Sequence, residues 1–338
     1  MTTKKEILGS MYDTSRKIVY QQLTLTPTME KKVQQTPWRK QSSRNSYCFT
    51  SSDNAIKQVL EEVFEINSPL FDEKFEQAIS GDGNEKYRIA RLHSSSLLCL
   101  LHFYGVSKEK PLKLLLGSKV CTFTKSKFEV KTFVGLDAGN KEHYSNMDVV
   151  LEGTDVHGHR VILFLESKFS EYLSGGEIQD ISPIYNEIYE KIAPIGGEIE
   201  FKTNTLKSIN RKRTGHYCAG LKQMVSHYMG ITNAINGQYG SKSDTDYKEL
   251  SDATIYLAEI VFPLEHPKLE DYRMLHADLS QKLNKKAIED IFQTKAEHSA
   301  PSFYIVDTLL EYPDVFNYGN NNQLVEGIVD TFYYSVMK

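Results

Sequence analysis

Apolar positions in the first third of the chain recur at helical spacing, and from about residue 127 they alternate or run together in the manner of strands. Asn54 to Phe64 (NAIKQVLEEVF) reads as a helix with Asp53 as its N-cap. A second helical piece, Phe71 to Ile79, ends at Ser-Gly-Asp-Gly. His93 to Tyr104 (HSSSLLCLLHFY) starts on serines and stops at Gly105. It is apolar nearly all round, which predicts burial.

The middle of the chain predicts strands at Lys127 to Val134, Asn146 to Leu151 and Arg160 to Lys168. The last two are joined by a turn around His157-Gly158; the two histidines of His157-Gly158-His159 read as turn residues rather than as a metal pair. Both alternating sets of the Arg160 strand are apolar until its end, as expected of a strand covered on both faces. A long segment from Phe169 to Gly215 follows, with a helical stretch at Pro183 to Ile192 and a basic run of Lys202, Lys207, Arg211, Lys212 and Arg213. Thr214 then caps a helix from about His216 to Ala234, with Leu221, Met224, Val225 and Tyr228 as its stripe. Strands at Ala253 to Phe262 and Ser302 to Leu310, an amphipathic stretch at Leu269 to Lys285 and a terminal helix at Gln323 to Val336 complete the pattern. The expected fold class is α/β, a mixed central sheet flanked by helices in one domain over residues 53–338. Residues 1–52 read as a partly ordered, solvated arm, rich in Gln, Thr, Ser and Pro and carrying Lys31, Lys32, Arg39, Lys40 and Arg44, with a basic flap over a polyanion as the alternative.

Composition changes this picture little. Of 338 residues, 40% are hydrophobic and 25% charged, enough for a real core. A net charge of -4 gives no bulk sign of a polyanion binder, and local clusters matter more. Cys48, Cys99, Cys121 and Cys218 form neither CxxC pairs nor zinc spacings, so a reduced, cytoplasmic setting is expected. No secretory signal is expected at the N-terminus, and the longest apolar stretch, Leu97 to Tyr104, is too short to span a bilayer.

The chemistry concentrates at one strand end. The apolar run Val161 to Leu165 passes directly into Glu166-Ser167-Lys168. Glu166 and Lys168, two apart on an extended chain, project from the same face. Asp148 begins another apolar run on the preceding strand, and whether it shares that face depends on register, which the sequence leaves open. Two carboxylates suffice for a magnesium ion that keeps several waters, and the Ser167 carbonyl adds a third oxygen. Lys168 would sit near the attacking water and offset transition-state charge. Glu-x-Lys alone is also a common solvated strand exit. The apolar strand, the preceding aspartate and the capped helix that follows raise the chemical reading above that one.

MDVV followed by FLESK resembles the PD-(D/E)XK nuclease superfamily, in an uncharacterised bacterial branch, with Met147 where proline is usual. The resemblance spans about residues 93–262, with an insertion at about 170–214, and implies a restriction-endonuclease-like core. It implies a metal-dependent nuclease using Mg2+ or Mn2+, with Asp148, Glu166 and Lys168 as catalytic residues. It also implies a nucleic-acid substrate, DNA being expected, and a homodimer if both strands of a duplex are cut. RecB-type relatives carry a metal-binding histidine on the first core helix, a place His93 matches. They also place a glutamine and, one turn later, a tyrosine after Glu-x-Lys; here Gln223 is followed by His227. Gln223 is a candidate substrate contact. Lys207, Arg211, Lys212 and Arg213 read equally as a phosphate-contacting loop and as a solvated one. The rival function is a catalytically silent module of the same fold that binds nucleic acid or a protein.

Overall fold

The computed structural model describes residues 14–37, 45–49, 56–81, 88–173, 220–244, 247, 250, 253–292, 302–325 and 327–337. In chain order these form α1 (Thr14–Gln22), α2 (Pro27–Lys32), β1 (Val33–Pro37), β2 (Asn45–Phe49), α3 (Ile56–Phe64), α4 (Pro69–Ala78) and α5 (Ser95–Phe103). Then come β3 (Leu112–Leu116), β4 (Lys119–Leu136), β5 (Glu142–Asp155), β6 (Arg160–Lys168), α6 (Gly220–Ile235), β7 (Thr254–Val261) and α7 (Lys268–Phe292). The chain continues through β8 (Ser302–Ile305), β9 (Leu310–Glu311), α8 (Tyr312–Asn317) and α9 (Ile328–Tyr334).

A seven-stranded sheet runs in the order β3-β4-β5-β6-β7-β8, with β9 also paired to β7. β3 to β6 are antiparallel neighbours, whereas β6, β7 and β8 are parallel, so the sheet is mixed. β6 is central, and its alternating residues enter two cores. Val161, Leu163 and Leu165 pack on the side of α5; Ile162 and Phe164 pack on the side of α6 and α7, against residues such as Met224 and Leu283. Each such side chain contributes roughly 1.5–3 kcal/mol by leaving water. The double coverage read from the sequence of β6 is therefore observed, as is the restriction-endonuclease-like α/β class. Gly158, at φ 81°, closes the β5–β6 hairpin, and Asp155 Oδ1 accepts the backbone N–H groups of His157 and His159 at 2.9 Å each. Those histidines thus belong to a turn.

Five elements, α1, α2, β1, β2 and β3, differ from expectation. Residues 14–37 and 45–49, expected within a solvated arm, fold instead: Val19, Tyr20, Leu23, Met29, Tyr47 and Phe49 are buried in the larger core. Phe49 meets Phe64 edge-on, and the Thr24 N–H donates to the Phe332 carbonyl at 2.9 Å. These elements are five to nine residues long, too short to show a period in a window of 11 or more. β3 was likewise unforeseen, although LKLLL alternates buried and exposed. The helical stretch expected at 183–192 lies outside the described residues.

Helix α6 reaches the sheet closely because Gly230 faces β4. A Cβ built there would stand 2.1 Å from the Thr132 hydroxyl oxygen. This close approach brings the first turns of α6 over the C-terminal end of β6.

Candidate active site

The β5–β6 ladder ends at Val149↔Leu165, and the same register continued one step sets Asp148 across from Glu166. The pleat breaks at this level. Phe128 and Val149 enter the core on the α5 side, while Val130 and Met147, two residues away on the same strands, enter the other. Between Phe128 and Val130, Glu129 adopts φ 53°, an uncommon conformation for a residue with a Cβ. Where the ladder stops, a side chain takes over: Asp148 Oδ2 accepts the Ser167 N–H at 2.7 Å.

Successive residues of β6 then diverge. The Ser167 side chain turns toward α5 and α8, where its hydroxyl donates to the Ser95 carbonyl at 3.3 Å and meets the Tyr312 hydroxyl at 2.7 Å. Glu166 and Lys168 turn toward α6, each 3% exposed. Lys168 Nζ donates to Glu166 Oε1 at 2.5 Å and to Gln223 Oε1 at 2.7 Å. Gln223 Nε2 donates to Glu166 Oε1 at 2.8 Å, and His227 Nε2 donates to Glu166 Oε2 at 3.0 Å. Residues 223 and 227 are one helical turn apart, so α6 presents both to the same carboxylate. The other His227 nitrogen, Nδ1, lies 2.5 Å from the Ser145 hydroxyl of β5. In the neutral ring with Nε2 donating to Glu166, Nδ1 accepts the serine proton. Gln223 is exposed and forms the solvent side of the cluster.

The electrostatics are uneven. Burial and the Glu166 charge push Asp148 well above the usual carboxylate range, against the opposing pull of Lys168 and the Ser167 N–H. Burial also works against Glu166, but Lys168 and His227 outweigh it and hold it at about 2. Burial would lower Lys168, yet Glu166 and the surrounding acids raise it. Glu171 adds a third carboxylate: its Oε2 accepts the Phe169 and Ser170 N–H groups at 2.7 and 2.9 Å, closing the turn after β6. Glu166, Glu259, Glu171 and Asp148 thus all act on the charge of one lysine.

The donor set suits a hard dication. Among the described residues no cluster of three or more His, Cys, Asp or Glu is arranged to hold a metal ion. Magnesium does not require one, since one or two carboxylates plus waters and substrate oxygens suffice. Three hydrogen bonds on Glu166 leave one of about four lone-pair directions open, and Asp148 has more to spare. The Lys168 carbonyl accepts from Phe262 on the β7 side at 3.0 Å. Carbonyls alternate along a strand, so that of Ser167 points the other way, toward Asp148. Burial and then the Glu166 charge raise Asp148, and the second of these is what a dication would offset.

A family model described as restriction endonuclease associating with ARP matches residues 31–229. The chain belongs to this family. The REase-ARP match takes in Asp148, Glu166, Lys168, Gln223 and His227, and ends before β7. It supports a nuclease-type assignment. Comparison with curated proteins and with solved structures gives no match.

Of the residues singled out from sequence, Asp148, Glu166, Ser167, Lys168 and Gln223 are brought together. His93 precedes α5, where its Nδ1 lies 3.4 Å from the Tyr20 hydroxyl. Lys207, Arg211, Lys212 and Arg213 lie outside the described residues. His227 stands where relatives carry tyrosine; its spacing from Gln223 was the available signal. Glu259 was missed altogether, although an acid inside YLAEIVF is itself conspicuous. No helix among the described residues is long and apolar enough to cross a membrane.

Proposed function

We propose that this chain is a metal-dependent nuclease that hydrolyses phosphodiester bonds in nucleic acid, with DNA as its substrate. The observation that carries the reading is the convergence of Asp148, Glu166 and Lys168 at one strand end, with Gln223 and His227 bonded to the same carboxylate. A magnesium or manganese ion held by Asp148, Glu166 and the Ser167 carbonyl would supply Lewis-acid polarisation of the phosphoryl group and a water acidic enough to attack. His227 and Gln223 fix the Glu166 carboxylate, so that its oxygens need no reorganisation during the reaction. Lys168, held by Glu166 and Gln223, places a positive charge where charge builds on the phosphoryl oxygens and favours the hydroxide form of the attacking water. Asp148, already crowded by negative charge, is the group most relieved by a cation.

The experiment is cleavage of DNA and RNA, single- and double-stranded, with magnesium or manganese, by the wild type and Lys168→Ala. A fall on the order of 100-fold or more is expected, comparable to losing one preorganised charge-stabilising donor. Equal activity in both would remove Lys168 from the mechanism. The rival reading is a catalytically silent module of the same fold that binds nucleic acid or a protein partner. Manganese titration calorimetry separates the two, because the nuclease must take up the ion and lose it on Asp148→Asn.

A further inference from the structure

Glu259 lies on β7 directly beside Glu166 in the parallel ladder. Parallel neighbours are about 4.8 Å apart, and in-register residues share a face. The core assignments agree. Ile255 and Leu257, of the same parity as Glu259, pack on the α6 side together with Ile162 and Phe164 of β6. Glu259 is therefore on the face that carries Glu166 and Lys168, 1% exposed. It lies beyond the span matched by the family model.

A carboxylate so buried needs partners, and this one has half of them. Tyr272 of α7 donates its hydroxyl to Glu259 Oε2 at 2.7 Å. One helical turn on, His276 Nε2 stands 3.6 Å from the same oxygen without a hydrogen bond. Glu259 Oε1 has no hydrogen-bond partner among the described residues. Leaving such an oxygen unpaired is unfavourable by roughly 1–3 kcal/mol. Lys168 shows the complementary deficit. An ammonium has three N–H donors, and Glu166 and Gln223 take two of them. An unspent donor and an unspent acceptor thus sit on adjacent strands and the same face, each feeling the other's charge.

We infer that Glu259 is a positioning residue of the same centre, offering Lys168 a second carboxylate through Oε1. This rests on the nuclease reading for its purpose. When a bound cation draws on the charge of Glu166, Lys168 keeps a second anionic partner on its β7 side and stays at the reacting phosphate. Tyr272 fixes Oε2 and so leaves Oε1 as the oxygen that meets the lysine. Burial pushes Glu259 up to about 7 and the Lys168 charge opposes it, in keeping with a carboxylate whose ion pair is not yet complete.

Two measurements test this on the full chain. The first uses chelated protein and no substrate: urea midpoints of the wild type, Glu259→Gln, Lys168→Met and the double variant. If Glu259 acts through Lys168, the double variant unfolds near the midpoint of the worse single variant. Simple addition of the two shifts would overturn the coupling. The second is steady-state cleavage. Glu259→Gln is expected to lower kcat at least 10-fold with KM within 2-fold, and Glu259→Asp, which keeps the charge, to recover most of that loss. Unchanged kcat in Glu259→Gln would overturn the inference, as would a loss that Glu259→Asp does not recover. If Glu259→Gln does not fold, Glu259→Leu, which also removes the charge, takes its place in the unfolding cycle. If the wild type cleaves nothing, the nuclease reading fails, and the cycle still decides the coupling of Glu259 to Lys168.

Discussion

Replacing Lys168 with methionine, similar in length but uncharged, isolates the electrostatics of the centre. In the wild type the Glu166 carboxyl is held at about 2 instead of its ordinary 4.5. That difference corresponds to about 3 kcal/mol at neutral pH, at about 1.4 kcal/mol per pH unit. Breaking a buried ion pair by removing one partner typically costs 3–5 kcal/mol. His227 and Gln223 remain bonded to Glu166 in the variant, so a loss of about 2–3 kcal/mol at pH 7 is expected. The sign with pH follows. A carboxyl depressed in the folded state stabilises above its unfolded pKa, and that stability disappears as pH falls through the folded value. The gap between wild type and Lys168→Met should therefore be full above about pH 5 and shrink by about half near pH 3. Urea unfolding at pH 7, 5 and 3 measures it. A gap below about 1 kcal/mol at pH 7, or one that does not narrow toward pH 3, would refute the claim that Lys168 stabilises the ionised form of Glu166.

Three further outcomes are expected. Ser145→Ala removes the partner of His227 Nδ1 and should lower stability by about 1–2 kcal/mol, with a several-fold fall in cleavage as the ring loses its fixed tautomer; Ser145→Thr, which keeps the hydroxyl, should restore most of the activity. Glu259, raised by burial to about 7, contributes stability below pH 4.5 that is lost as pH rises through 7, so Glu259→Gln should flatten the stability profile over that window in urea titrations. Gly230→Ala drives a methyl into Thr132 and should lower stability by about 1–3 kcal/mol in chemical unfolding, with Thr132→Ala recovering part of it in the double variant.

Local chemistry decided much of this protein in advance. An unbroken apolar run such as Val161 to Leu165 can only be buried on both faces, so its central place in a covered sheet was legible from sequence, and so was the strand end that carries Glu166 and Lys168. The glycine at 158 and the acid at 155 similarly dictated the hairpin turn, because a left-handed residue and a side-chain acceptor are local properties. Register is not local. Asp148 meets Glu166 because the β5–β6 ladder runs without slippage to Val149↔Leu165 and the pleat breaks beside it. Parallel pairing across a long connection is less local still. Glu259 and Glu166 are brought side by side by β7, and His227 and Gln223 by a helix that a single glycine lets approach the sheet. Side-chain type and period are written in neighbouring residues. The packing that brings distant residues together depends on the whole chain, so only the tertiary structure determined which acids share the lysine.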